Sequence, residues 1–162
     1  MEQYDTNKDG KISGAELDAC PALKSGMENI DPSHEGTITA EKLTARIKAW
    51  QEYKIGRMGA RCSVMRNGEP LANADVKFVP EKFLGASIPA AVGKTGTNGS
   101  AVMSVPLTDA KDLPGVVPGY YRVEITKGSE IPAKYNTATI FGEEVAPDAK
   151  SSKSGMTFNL EY

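Results

Sequence analysis

The sequence contains little histidine and almost no net charge, and each shortage excludes a class of function. There is one histidine in 162 residues, so no two histidines can share a metal ion or a proton, and nothing singles out another general base. The formal net charge is −2, and no basic stripe is available to bind the phosphates of nucleic acids. We therefore expect a protein that is not an enzyme and has no nucleic-acid partner.

Long apolar runs are also missing. No stretch is long enough to span a bilayer, which needs about 20 consecutive apolar residues, so we expect no membrane insertion. The hydrophobic fraction of 40% is nevertheless ordinary for a globular protein. The chain can therefore bury a core, in one or two domains.

Cysteine is scarce as well. Cys20 and Cys62 are the two cysteines of the chain, which is too few for a disulfide scaffold but enough for one bridge between its two halves. Two buried free thiols are the alternative, because cysteine is readily buried as a small hydrophobic residue. Both possibilities stay open at this stage.

The most informative segment that is present covers residues 5–16, DTNKDGKISGAE. Its spacing is that of an EF-hand loop, in which oxygen atoms at fixed positions of a twelve-residue segment surround Ca²⁺. The predicted ligands are Asp5, Asn7, Asp9, Lys11, Ser13 and Glu16. Three of these are carboxylates, which suits a hard divalent cation.

Each position of this first loop has a defined role. Lys11 would contribute its main-chain carbonyl, Ser13 would act directly or through a water, and Glu16 would bind with both carboxylate oxygens. Gly10 stands where the chain turns through a left-handed conformation that glycine adopts without steric cost. The sequence therefore predicts one calcium site.

The chain starts only four residues before the first predicted ligand. An EF-hand loop normally follows a complete entering helix, of which Met1 and Tyr4 would be the last apolar positions, spaced i, i+3. We interpret this start as the sign of a fragment of a longer protein.

A second loop at residues 31–42 repeats the pattern incompletely. Its first position is Asp31, but its last is Lys42, where a glutamate should bind the metal with both oxygens. A lysine side chain cannot coordinate a cation. We expect this loop to be a structural partner whose Ile38 pairs with Ile12, and weak calcium binding through Glu41 stays open.

The segments around the second loop predict helices. Pro21 suits the first turn of a helix over residues 21–30, preceded by a short helix over residues 14–19. Thr39 should cap a longer helix over residues 40–54 that has an apolar stripe. The glycine-rich segment at residues 56–59 then divides the chain into predicted domains at residues 1–57 and 58–162.

From residue 60 onward the hydrophobic period changes from 3.6 to 2, and turns recur at short intervals, which predicts seven strands. The dipeptide Asn67-Gly68 favours a tight hairpin, because both central residues of that turn need positive φ. Asn98-Gly99 implies another hairpin. In the strand near residue 120, Tyr121 should face the core and Tyr120 should face solvent.

Three motifs of this half resemble a known family: V-x-x-N-G-x-P-L-x-x-A-x-V-x-F-x-P at residues 64–80, PGYYRVEI at residues 118–125 and IPAKYN at residues 131–136. They are similar to carboxypeptidase regulatory-like domains, which are small transthyretin-like sandwiches. Together with the two loops, the chain resembles bacterial EF-hand proteins of the cell envelope. The resemblance implies an extracytoplasmic location, either secreted, periplasmic or in the envelope.

The predicted fold class is α+β, with a compact helical EF-hand pair followed by a seven-stranded antiparallel β-sandwich of the transthyretin-like, or prealbumin-like, type. The predicted function is that of a non-enzymatic calcium-binding module with a structural or interaction role. Its partners would be calcium and either another envelope protein or another domain of the same chain. Two alternatives stay open: the regulatory or accessory tail of a larger extracytoplasmic hydrolase, and a calcium sensor that exposes an apolar groove.

Overall fold

The computed structural model describes residues 3–162, which form ten strands in three sheets and five α-helices. The strands are β1 (Lys11–Ser13), β2 (Thr37–Thr39), β3 (Ala60–Arg66), β4 (Glu69–Pro70), β5 (Asp75–Pro80), β6 (Ala91–Lys94), β7 (Ser100–Met103), β8 (Gly119–Thr126), β9 (Gly142–Val145) and β10 (Met156–Leu160). The helices are α1 (Ala15–Asp18), α2 (Pro21–Ser25), α3 (Met27–Ile30), α4 (Ala40–Glu52) and α5 (Lys150–Ser154). None of the described helices has both the length and the apolar character needed to cross a membrane.

The predicted fold class is wrong. The N-terminal part is not a compact helical pair, because three of its four helices have only four or five residues and β1 and β2 add a small sheet. The remaining strands are not a seven-stranded antiparallel sandwich. They number eight among the described residues, lie in two four-stranded sheets and include one parallel pair.

Proline and glycine explain why the first helices are short. Pro21 begins α2, where its missing N–H is tolerated. Gly26 ends α2 and precedes α3, so the predicted helix over residues 21–30 is two helices. A Cβ atom at Gly26 would lie 2.6 Å from the ring of Tyr120, so only glycine allows this close approach to the sheet.

The small sheet joins the two loops side by side. β1 and β2 pair antiparallel, with Ile12 opposite Ile38, which confirms the predicted pairing. Both side chains are fully buried. Thr39 accepts a hydrogen bond from the Lys42 N–H at the start of α4, as its predicted capping role requires.

The strands of the C-terminal part alternate between two sheets. One sheet has the order β10-β3-β4, with β7 also paired to β3, and the other has the order β6-β5-β8-β9. The Asn67-Gly68 turn joins β3 to β4 with positive φ at both residues, which confirms that hairpin. The chain also turns at Asn98-Gly99, and Val92 forms an antiparallel bridge with Ser104, but the regular hairpin expected there is not formed, because β6 pairs with β5 while β7 pairs with β3.

The segment after the Asn67-Gly68 turn, residues 69–80, divides into two strands in different sheets. β4 belongs to the first sheet and β5 to the second, so the chain crosses between the sheets at residues 71–74. The buried Thr95 hydroxyl fixes this crossing, since it donates to the Leu71 carbonyl at 2.6 Å and accepts from the Ala74 N–H at 2.8 Å. Side-chain bonds of this kind satisfy main-chain groups that have left the sheet ladder.

The described residues form two hydrophobic cores. The larger core lies between the two four-stranded sheets and contains Phe78, Tyr121 and Phe158. The smaller core lies between the N-terminal part and the outer face of the second sheet, and it includes Trp50 and Tyr120. The expectation that Tyr120 faces solvent is wrong, because the N-terminal part covers that face of the sheet.

The N-terminal part contacts the second sheet closely at β9. A Cβ atom at Gly142 would overlap the main chain of Pro21 and Ala22 in α2. Residues 53–59 connect α4 to β3. Tyr4 lies in a turn and is half-buried against the smaller core, whereas Met1, the other position of the predicted entering helix, lies outside the described residues.

Candidate functional site

Hydrogen bonds from the main chain hold the carboxylates of the first loop in place. The two oxygens of Asp5 accept from the N–H groups of Asp9 and Gly10 at 3.1 and 3.0 Å. Asp9 in turn accepts from the Lys11 N–H at 2.9 Å, and Asn7 accepts from the Asp9 N–H at 2.9 Å. Gly10 has a φ of 82°, as its predicted role in the turn requires.

Glu16, at the start of α1, closes the loop. Its Oε1 accepts from the N–H of Thr6 at 2.8 Å and the N–H of Asn7 at 3.2 Å, and its Oε2 accepts from the N–H of Ser13 at 3.3 Å. Burial alone would raise the pKa of Glu16, but these bonds and one from the Thr6 hydroxyl lower it. These bonds therefore favour the ionised form of the Glu16 carboxylate and link it to both halves of the loop.

All six predicted ligand residues take part in this bonded arrangement, four through their side chains and Lys11 and Ser13 through their N–H groups. Lys11, whose carbonyl is the predicted ligand, belongs to β1, which also contains Ser13. Because β1 is paired to β2, the second half of the first loop has a fixed main-chain conformation.

No ion pair neutralises the first loop within the described part of the chain. None of the salt bridges there includes Asp5, Asp9 or Glu16. Three carboxylates thus share one short loop with no cationic side chain bonded to them. Like charges held this close repel one another, and a bound cation would relieve that repulsion.

The carboxylates alone do not form a metal cage. Across residues 3–162, no three or more His, Cys, Asp and Glu side chains are grouped so that they could hold a metal ion. A cation in the first loop would therefore also need the oxygens of Asn7, Ser13 and the Lys11 carbonyl. Such a mixed set of carboxylate, amide, hydroxyl and main-chain oxygens suits calcium, which accepts a flexible shell of oxygen ligands.

The second loop has a different arrangement. The ammonium group of Lys42 donates to Asp31 at 2.7 Å, to Glu35 at 2.6 Å and to the Thr37 carbonyl at 3.3 Å. The other oxygen of Asp31 accepts from the Gly36 N–H at 2.7 Å. The bond from Lys42 lowers the pKa of Asp31 to about 2 although that carboxylate is buried.

A buried charged network that the sequence analysis missed fastens α4 to β9. Glu144, which is 2% exposed, accepts from Arg46 Nε at 2.7 Å, Trp50 Nε1 at 3.2 Å and the Tyr120 hydroxyl at 3.3 Å. Its second oxygen accepts from the Asn29 amide at 2.6 Å. The carboxylate is therefore fully bonded although it is buried between the two parts of the molecule.

Arg46 completes this network by binding a second carboxylate. Its Nη1 and Nη2 atoms donate to the two oxygens of Asp148 at 2.7 and 2.8 Å. Burial would lower the pKa of Arg46, but the bonds to Asp148 and Glu144 raise it. Arg46 lies on the apolar face of α4 between Leu43 and Trp50, and a charged residue at that position was the available signal for a buried partner.

A second buried carboxylate, Glu81, contacts two neutral donors among residues 3–162. The Tyr4 hydroxyl donates to one oxygen at 2.6 Å and the Cys20 thiol lies 3.8 Å from the other. Burial is the main reason that the pKa of Tyr4 is raised. Because Tyr4 directly precedes Asp5, this bond ties the start of the first loop to the end of β5.

The two cysteines are free and buried, so the structure contains no bridge between them. Cys20 lies in the smaller core and Cys62 in the larger one. Burial raises the pKa of the Cys20 thiol to about 11 and that of the Cys62 thiol to about 12. Both are therefore protonated and unreactive near neutral pH.

Comparison with known proteins adds no relative: no family model, no curated protein and no solved structure matches the chain. Function is therefore inferred from the two loops and their surroundings.

Proposed function

We propose that the first loop, residues 5–16, binds one Ca²⁺ and that the protein is a non-enzymatic calcium-binding module with a structural or interaction role. One observation carries this proposal. Asp5, Asp9 and Glu16 are held in one loop, and no cationic side chain of the described residues is bonded to them, whereas the similar second loop has Lys42 bonded to its oxygens. The missing charge in the first loop is supplied by calcium.

Calcium binding would stabilise the contact between the N-terminal part and the second sheet. The first loop begins next to Tyr4, which is bonded to Glu81 beside β5, and ends at Glu16 in α1. A cation that bonds both ends of the loop restrains these two attachment points together. Because only the folded loop assembles the ligands, calcium stabilises the folded state.

We also propose that the protein acts outside the cytoplasm, with another envelope protein or another domain of its own chain as a partner. Support for this location comes from the sequence resemblance alone. Extracellular calcium modules bind with dissociation constants of about 10⁻⁴ to 10⁻³ M. The exposed position of most of the first loop favours affinity in that range over the tighter range of intracellular buffers.

Isothermal titration calorimetry with calcium tests the stoichiometry. We expect one site in the wild type and none in Glu16→Gln, which loses the charge and the two-oxygen contact. Glu28→Gln removes one charge at an exposed residue of α3, and it should retain the site. The proposal fails if the wild type binds no calcium at millimolar concentration, or if Glu16→Gln binds as the wild type does.

A further inference from the structure

The ammonium group of Lys42 lies among the oxygens that would ligate a metal in the second loop. It contacts Asp31, Glu35 and the Thr37 carbonyl, which stand at positions 1, 5 and 7 of the twelve-residue pattern. The equivalent residues of the first loop are Asp5, Asp9 and Lys11. A side chain from the last position thus reaches back to the start and middle of its own loop.

The burial of Asp31 favours a stable ion pair between its carboxylate and the Lys42 ammonium group. The Asp31 side chain is 1% exposed and that of Lys42 is 23% exposed, so the pair is shielded from water on the side of Asp31. Ser33 donates to the same Asp31 oxygen at 2.8 Å, and the Gly36 N–H donates to the other. An unpaired carboxylate at so buried a position would be costly.

We propose that Lys42 is the built-in cation of the second loop, which therefore folds without a metal ion and excludes calcium. The lysine removes the ligand that calcium would need at the last position, and its positive charge occupies the space among the remaining oxygens. The open possibility of weak calcium binding through Glu41 is then rejected. This inference does not depend on calcium binding in the first loop.

A second loop that folds without metal also supports the first loop, with which it pairs. β2 and the start of α4 keep their positions in the absence of metal, so Ile38 stays available to pair with Ile12. The first loop thus always has a folded partner against which to close. Calcium binding then orders one loop and not two, which lowers its entropic cost.

Amide hydrogen exchange measured by NMR tests this inference in the whole protein. The Gly36 N–H reports on the second loop, and the Gly10 N–H, bonded to Asp5 at 3.0 Å, reports on the first. In the wild type we expect Gly36 to be protected already with a chelator, before any calcium is added. Lys42→Met should lower the protection of Gly36 in chelator at least about tenfold, because opening of the loop becomes easier.

Lys24→Met is the matched control, because Lys24 also forms an ion pair with an aspartate, Asp18, but both side chains are more than 60% exposed. It should leave Gly36 unchanged. The inference is overturned if Gly36 in the wild type is protected with calcium but unprotected with a chelator, or if Lys42→Met and Lys24→Met behave alike. A Gly10 signal that does not respond to calcium counts against the proposed function and not against this inference.

Lys42→Glu keeps the test decisive if Lys42→Met unfolds the second loop and its neighbours together. This variant restores the glutamate of the calcium pattern, so Gly36 should be unprotected in chelator and protected when calcium is added. Failure of calcium to restore that protection would contradict the claim that the ammonium group stands at a cation position.

Discussion

The two loops of the N-terminal part share their main-chain pairing but differ in the side chains that contact their carboxylates. They pair through β1 and β2, and each has a glycine with positive φ at the same position, Gly10 and Gly36. The second loop has Lys42 bonded among its oxygens. The first has three carboxylates and, among the described residues, no such side chain, so we expect a similar main chain to give a metal-independent loop in one case and a metal-dependent one in the other.

The same contrast occurs where the N-terminal part meets the second sheet. Glu144 is neutralised by Arg46, which also binds Asp148. Glu81 is equally buried, and in the described part of the chain its side chain is bonded to a hydroxyl and a thiol. A carboxylate paired with a cation should lose more on truncation of its partner than one held by neutral donors, and the following substitutions measure that difference.

Arg46→Met should have the largest effect. It leaves Glu144 buried without its cation, and breaking a buried pair in this way costs about 3–5 kcal/mol of unfolding free energy. Lys48→Met on the exposed side of α4 should change stability by less than about 0.5 kcal/mol. Urea unfolding of both variants decides the point, and equal midpoints would show that the Arg46 network contributes nothing to stability.

Removal of calcium should have the next largest effect and should act through the first loop alone. At a calcium concentration 100 times the dissociation constant, linkage gives about 2.7 kcal/mol of stabilisation. Thermal unfolding with calcium and with a chelator measures it. Glu16→Gln should abolish the difference between the two conditions, and Glu28→Gln should keep it; a difference that survives in Glu16→Gln would place the calcium elsewhere.

Tyr4→Phe removes the hydroxyl that bonds to Glu81. A hydrogen bond to a buried carboxylate contributes about 2 kcal/mol, so we expect a loss of that size in denaturant unfolding. Tyr53→Phe, at a tyrosine that is 51% exposed, should be close to neutral. If the two variants have the same stability, the hydrogen bond between Tyr4 and Glu81 does not stabilise the protein.

Substitution of Glu143 should have the smallest effect on stability, and this effect should depend on pH. Burial raises its pKa from 4.5 to about 7, although it accepts a bond from the Ser151 hydroxyl. The folded state therefore binds the proton more tightly than the unfolded state, and this contribution is present below pH 4.5 and lost as pH rises through 7.

Glu143→Gln should remove the loss of stability that occurs as pH rises through 7. Relative to the wild type it should be more stable at pH 8 by about 1–2 kcal/mol, a value reduced because the side chain is only partly buried. Near pH 4.5 the two proteins should have similar stability. Glu69→Gln, at an exposed residue of β4, should follow the pH dependence of the wild type; a parallel profile for Glu143→Gln would rule out this carboxyl as its source.

Local chemistry made several features predictable from the sequence. Positive φ at Asn67 and Gly68, the cap at Thr39 and the pairing of Ile12 with Ile38 each follow from requirements that a few neighbouring residues fulfil. The identity of Lys42 also showed that the second loop lacks its last ligand. Its position was not predictable, because the direction of a long flexible side chain depends on the folded loop around it.

Features that depend on distant parts of the chain were not predictable in this way. Tyr120 alternates with the core residues of β8 and would face solvent if the sheet had one covered face, but the N-terminal part covers its other face. For the same reason the partnership of Arg46 with Glu144 could not be deduced. The crossing between β4 and β5 at residues 71–74 is likewise held by a distant residue, Thr95, whose hydroxyl donates to the Leu71 carbonyl. No local pattern indicates this crossing.

The parallel pairing of β3 with β10 affects the order in which the molecule can be built. Cys62 in β3 lies opposite Met156 in β10, and these two residues are 94 positions apart. β3 therefore has no neighbour on that side until the chain has been synthesised as far as β10. Contacts between such distant segments form slowly, because a long loop must close first. The larger core therefore cannot close until β10 has been made, and the exposed edge of β3 is the surface most in need of protection during that interval.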